Sequence, residues 1–135
     1  MSDSARVLDR LRGQLAQYRE MARIVASQRS VFASMDVDAI LEMIERKRAV
    51  LAEVDAIEAE LAPLKADWAR IRATFTPEEA REVEATLVAT QQVLKDLVLL
   101  EDEGRALLEK RREANSDELS HLVQKSRARG AYGAR

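Results

Sequence analysis

The chain has 135 residues and a net charge of −2, and its residues are 47% hydrophobic, 34% charged and only 4% aromatic. Four glycines, two prolines and no cysteine complete a composition that is typical of long helices and unlike that of most globular enzymes. The missing cysteine excludes disulfide bonds and thiolate chemistry. The single histidine, His121, excludes a histidine metal pair and a catalytic triad, and there is no glycine-rich phosphate loop. We therefore expect no enzymatic activity, no cofactor and no metal site.

The sequence also lacks the features of a secreted or membrane-inserted chain. Residues 1–4 contain no basic stretch followed by an apolar run, and no apolar run reaches the ~20 residues that a membrane helix needs. Residues 123–135 carry basic side chains and no acidic one, but without a stacking platform this is a weak nucleic-acid footprint. We expect a cytoplasmic protein that neither inserts into a membrane nor binds nucleic acid.

Apolar residues recur every three or four positions from Leu8 to Val123, with strong interruptions only at residues 34–36 and 74–77. This period indicates amphipathic helices, and the two interruptions separate three of them, at about 3–34, 36–74 and 77–126. The sequence therefore predicts an all-α fold in which three long antiparallel helices form an elongated, coiled-coil-like bundle over residues 1–126.

Local signals place the starts of the second and third helices. Asp36 is the expected N-cap of the second helix, and Thr76-Pro77-Glu78-Glu79 predicts a capping box with proline at the first helical position. Pro63 lies inside the second helix, where it removes a backbone hydrogen bond. Because the apolar period continues beyond it, we favour a kink over a break into two helices. The predicted seam of this helix includes Ile40, Ile44 and the aliphatic stem of Lys47, whose ammonium group is expected to reach solvent.

The third predicted helix is too long for the first helix to cover. At 1.5 Å per residue it extends roughly 70 Å, whereas the first helix extends only about 50 Å. Its distal seam also contains polar residues where apolar ones are expected, at Arg111, Asn115 and Glu118. The distal part therefore folds back, frays or binds another chain. Residues 127–135 contain two glycines and no apolar period, which predicts a flexible basic tail with one aromatic, Tyr132.

The order and spacing of these features resemble those of the FlgN family of flagellar export chaperones. The resemblance covers nearly the whole chain. It rests on the opening leucines with Tyr18, the Asp36 turn, the Lys47 region, the long last helix and the late Tyr132-Gly133 pair. It implies a cytosolic type III flagellar secretion chaperone that binds hook-associated proteins of the hook–filament junction. Such a chaperone keeps its clients unassembled and delivers them to the export gate, without a cofactor.

The resemblance also implies where the partners bind. The amphipathic C-terminal helix of the client would dock on the C-terminal helical segment of the chaperone, and a C-terminal tyrosine would contact the export-gate protein. In this sequence the gate contact would be Tyr132. The client-binding residues would be Leu107, Leu108, Leu119, Leu122 and Val123.

Two alternatives are compatible with the same pattern. The first is a structural coiled-coil protein that self-associates, for example a homodimer in which two distal helices cover each other. The second is a related secretion chaperone with a different client. The mass in solution distinguishes the first alternative from a monomeric chaperone, and a client pull-down distinguishes the second.

Overall fold

A computed structural model describes the backbone of residues 2–101 and 105–133, and the side chains of residues 2–101 and 105–122. Within these ranges the chain is all-helical and contains no strand. The helices are α1 (Asp3–Ala33), α2 (Val37–Ala66), α3 (Trp68–Ala73), α4 (Pro77–Leu100) and α5 (Arg105–Gly133). None of the described helices is both long enough and apolar enough to cross a membrane.

The all-α class is confirmed, but the described chain forms five helices where the sequence predicted three. The second predicted helix is divided at Asp67, whose backbone angles (φ −112°, ψ 26°) are not helical. Pro63 remains inside α2, so the favoured kink in one continuous helix is replaced by a break four residues later. The break lets α3 turn back onto the bundle, where Ile71 is fully buried and Trp68 packs edge-on against Phe75 at 5.7 Å.

The third predicted helix is divided as well. Its first part, α4, ends at Leu100, and Glu101 then adopts an extended backbone. The chain returns as α5, which lies antiparallel to α4, because Arg105 donates to the carbonyl of Val98 while Asn115 donates to that of Leu87. Folding back is thus the outcome for the distal segment. The structure continues α5 to Gly133, seven residues past the predicted helix end, through a segment that includes the good helix formers Arg and Ala.

The predicted caps of α2 and α4 are confirmed. The Asp36 carboxylate accepts a hydrogen bond from the Ala39 N–H at 3.2 Å. The Thr76 hydroxyl accepts from the Glu79 N–H, and the Glu79 carboxylate accepts from the Thr76 N–H at 2.9 Å. This last hydrogen bond holds the pKa of Glu79 below its ordinary value, because it stabilises the charged form.

Helix α1 lies at the centre of the packing, between α2 and α4. Ion pairs join Arg10 to Glu60 and Arg46 to Glu20, so α1 and α2 run antiparallel. Ser4 bonds to Glu79 near the start of both helices, so α1 and α4 run parallel. The apolar core consists of two clusters, one near each end of the bundle, and α5 contributes Leu108 to the first and Leu122 to the second.

The seam of α2 differs from the predicted one near its start. Met43 and Val50 are buried, whereas the predicted core residues Ile40 and Ile44 are only half-buried. The ammonium group of Lys47 also departs from expectation, because it does not reach out to solvent. It donates to Gln28 at 2.9 Å and to the buried carboxylate of Glu101 at 2.8 Å. Met43 and Val50 belong to a core cluster that also contains Leu97 and Val98 of α4, so the buried stripe of α2 at this end is directed toward α4 as well as α1.

Candidate functional site

The inward face of α5 combines two buried leucines with polar residues between them. Its inward positions follow steps of three and four residues, which is the period of a helix seam. Leu108 and Leu122 are each 6% exposed and belong to the core. The positions between them are held by Arg111, Asn115 and Glu118. The residues that interrupted the apolar pattern in the sequence therefore face the bundle, and each has a partner there.

Arg111 bridges α5 to α2. Its guanidinium group donates to the carboxylate of Asp55 at 2.9 Å and to that of Glu58. It also lies 3.4 Å from the hydroxyl of Tyr18 on α1, although its own Nε is buried without a hydrogen-bond partner among the described residues. The Arg111 side chain is 11% exposed, whereas that of Asp55 is 67% exposed. The bridge thus extends from the interior of the bundle to its surface.

The surroundings of the bridge shift the pKa values of both Arg111 and Tyr18. Burial disfavours the charge of Arg111, but the hydrogen bonds to Asp55 and Tyr18 and the charge of Glu58 outweigh it, so the pKa of Arg111 is raised. Burial raises the pKa of the Tyr18 hydroxyl, and the hydrogen bond from Arg111 opposes that shift. Tyr18 is therefore neutral and Arg111 is a permanent cation at ordinary pH.

Two further polar contacts hold α5 in place. The side-chain amide of Asn115 is buried and donates to the Leu87 carbonyl and to the Gln91 side chain on α4, both at 3.1 Å. Glu118 forms an ion pair with Lys65 on α2. Helix α5 thus packs along α4 and reaches α2 through long charged side chains.

The space below these bridges is incompletely filled. A cavity of about 380 Å³ lies between α2 and α5, with Gln14, Tyr18, Thr90 and Leu94 among the residues that line it from α1 and α4. A second cavity of about 220 Å³ continues toward Trp68, beside Glu118. We call this space, bridged by Arg111 and by the Lys65–Glu118 pair, the α2–α5 cleft. Both spaces are partly open to solvent, so together they form a groove between α2 and α5 rather than a sealed void.

The structure separates the predicted client-binding residues. Leu107 is 45% exposed and lines the mouth of the α2–α5 cleft. Leu119 is half-buried and packs against the cluster that contains Leu122. Leu108 and Leu122 are core residues, because α5 has folded back. The side chains of Val123 and Tyr132 lie outside the described ones, so their predicted roles remain expectations.

Sequence reasoning did not find Tyr18, Asp55, Glu58 and Lys65 as parts of the cleft. The acidic pair on α2 was indistinguishable from any solvated helix face, because its basic partner lies more than 50 positions away in the sequence. The one available signal was the set of polar residues in the α5 seam, which implied partners without naming them.

Comparison of the chain with protein-family models, with characterised proteins and with solved structures finds no match.

Proposed function

We propose that the protein is a cytoplasmic export chaperone of the flagellar type III secretion type, which binds the amphipathic C-terminal helix of a hook-associated protein. The observation that supports this proposal is the α2–α5 cleft. There, α5 is joined to α2 by charged bridges across unfilled space. A helix inserted into the cleft with apolar side chains at i, i+3, i+4 and i+7 would fill that space.

Binding starts at the mouth of the cleft, where Leu107 offers an exposed apolar contact. As the client helix enters, the Arg111 and Lys65–Glu118 bridges open and these charged groups regain water. Helix α5 then shifts away from α2 and presents Leu119, and further in Leu108 and Leu122, to the client. Val123 would extend this apolar face, and Tyr132 would contact the export-gate protein. The client helix is thereby kept from assembling until delivery.

The free energy lost when α5 leaves the core can be offset by the contacts that the client helix makes in the cleft. Complete loss of the buried leucines Leu108 and Leu122 from the core would cost about 3–6 kcal/mol. Each client methylene buried in the cleft would return about 0.8 kcal/mol, so a few well-placed side chains offset that loss. Breaking the hydrogen bonds of Arg111, whose side chain is only 11% exposed, adds about 1.5–3 kcal/mol to the cost of opening. The Lys65–Glu118 pair adds little, because both side chains are partly solvated.

The test is hydrogen exchange of the full chain, alone and with the C-terminal peptide of a hook-associated protein from the same organism. A peptide of the same composition in scrambled order, which has no apolar stripe, is the control. We expect new protection in α5 between residues 105 and 122 and in the facing part of α2, with the native peptide only.

Absence of protection with either peptide, together with a dimer mass in solution, would contradict the proposal. That result would favour the self-associating coiled-coil alternative. Equal protection by the scrambled peptide would show adhesion to apolar surface without helix recognition, and would also contradict it.

A further inference from the structure

A second apolar surface lies at the end of the bundle where α1 ends, α2 begins and α4 ends. It consists of exposed or half-buried apolar side chains from all three helices. We call it the apolar tip and define it by Phe32, Met35, Val37, Leu41, Ile44 and Leu100. Phe32, Ile44 and Leu100 line one recess of about 360 Å³, which places the three helices around a common surface. The apolar tip shares no residue with the lining of the α2–α5 cleft.

Met35 is held in a strained backbone conformation at the centre of the turn. Its φ of 58° lies in the left-handed region, which normally takes glycine or asparagine after a helix. The side chain gains nothing from packing in return, because the residue is 81% exposed. A large apolar side chain at a strained and solvent-exposed position is unfavourable for the isolated protein. Strained backbone positions cluster at active sites, ligand clamps and switch regions.

The start of α2 carries a second apolar face besides the one that packs into the core. Val37, Ile40, Leu41 and Ile44 follow the i, i+3, i+4, i+7 spacing of a helix-binding stripe. Met43 and Val50 already supply the core contact of this helix. Val37 and Leu41 are 66% and 55% exposed, so within the described chain the stripe is left largely uncovered.

The charges beside this stripe indicate what kind of partner fits. All charged residues from the α2 N-cap through Glu45 are acidic, namely Asp36, Asp38, Glu42 and Glu45. Within the described chain, Asp38 and Glu42 form no ion pair. At the floor of the recess, the charge of Glu101 is compensated by Lys47. The apolar tip therefore presents an apolar stripe with an acidic edge and a recess that has no uncompensated charge.

We propose that the apolar tip binds a basic amphipathic helix of a partner protein. Its apolar residues would cover the stripe and insert into the recess, while Lys or Arg residues on its flanks would pair with Asp38 and Glu42. A second copy of the chain fits less well, because it would bring an identical acidic edge to the interface. An anionic membrane surface is disfavoured by the same charges. This partner is distinct from the client of the cleft, so the inference goes beyond the proposed function.

The test uses the full chain and a fluorescent peptide of about 18 residues with leucine at the stripe positions and lysine elsewhere. A matched peptide carries glutamate in place of lysine. Anisotropy is expected to show saturable binding of the lysine peptide alone, weakening as salt rises from about 0.05 to about 0.5 M. Met35→Gly, which relieves the strained backbone, and Leu41→Gln should each weaken binding about tenfold or more.

Two control variants locate the site. Val88→Gln removes an equally exposed apolar residue elsewhere on the bundle, and Leu107→Gln removes the exposed apolar contact of the α2–α5 cleft without breaking its bridges. Both variants should bind the lysine peptide like the parent. Loss of binding in Leu107→Gln, equal binding of both peptides, or indifference to Met35→Gly would overturn the proposal. A doubled mass in sedimentation that Met35→Gly abolishes would assign the tip to self-association and would overturn it as well.

Discussion

The substitution Arg111→Glu tests whether the charged bridge holds α5 against α2. It removes the donors to Asp55, Glu58 and Tyr18 and places a carboxylate beside the two acidic residues. Hydrogen bonds to charged groups contribute about 1.5–3 kcal/mol, and each like-charge contact at this partly exposed site adds roughly 0.2–1 kcal/mol. The attachment of α5 should therefore weaken by about 2–4 kcal/mol, or roughly 30- to 1,000-fold in its opening equilibrium.

The assay is native-state hydrogen exchange of the amides in residues 105–122, with α1 as an internal reference. Arg112→Glu is the matched control, because it makes the same charge change one residue away, where Arg112 pairs only with Glu109 of its own helix among the described residues. That variant should alter exchange by less than about threefold. Equal exchange of α5 in the two variants would show that Arg111 does not hold α5 against α2.

Three other substitutions test local features of the fold. Met35→Gly should stabilise the protein by about 0.5–1 kcal/mol in urea denaturation, since relief of the left-handed strain exceeds the added freedom of the unfolded chain; a lower midpoint would contradict the assigned strain. Lys47→Ala should cost about 2–4 kcal/mol because it strands the buried Glu101 carboxylate, whereas Lys47→Met combined with Glu101→Leu should be nearly neutral. An equal loss in both would show that the charges are not what matters. Glu79→Gln should lower the melting temperature at neutral pH, and the difference from the parent should vanish on acidification. The pKa of Glu79 is lower in the folded state than in the unfolded state. Its stabilising contribution is therefore complete above the unfolded-state pKa and is lost as the pH falls through the folded-state pKa.

The sequence was informative wherever structure depends on neighbours in the chain. The Asp36 cap and the Thr76–Glu79 capping box each involve residues three positions apart, and both appear as predicted. The all-α class followed from the apolar period. The end of α4 was missed because the helical pattern of the sequence continues past Leu100. The one glycine in that stretch, Gly104, is not a decisive signal, since an isolated glycine is tolerated within a helix.

What could not be predicted depends on contacts between distant segments. Ile40 and Ile44 matched the helical period as well as Met43 did, and which stripe faces the core depends on where α1 and α4 lie. The same holds for Arg111, whose partners lie on α1 and α2. A polar residue in an apolar seam indicated an unusual environment. Its partners became evident only once α5 was placed antiparallel to α4.

In the proposed function, the client helix binds where the bridges between α2 and α5 open. The most direct measurement is the affinity of the C-terminal peptide of a hook-associated protein for Arg111→Glu and for Arg112→Glu. In the parent, part of the binding free energy of the client is used to open the cleft. In Arg111→Glu the cleft is already open more often, so this variant should bind the peptide more than about tenfold tighter. Arg112→Glu should bind like the parent. Equal affinities for the two variants would contradict the account and place the client elsewhere on the protein.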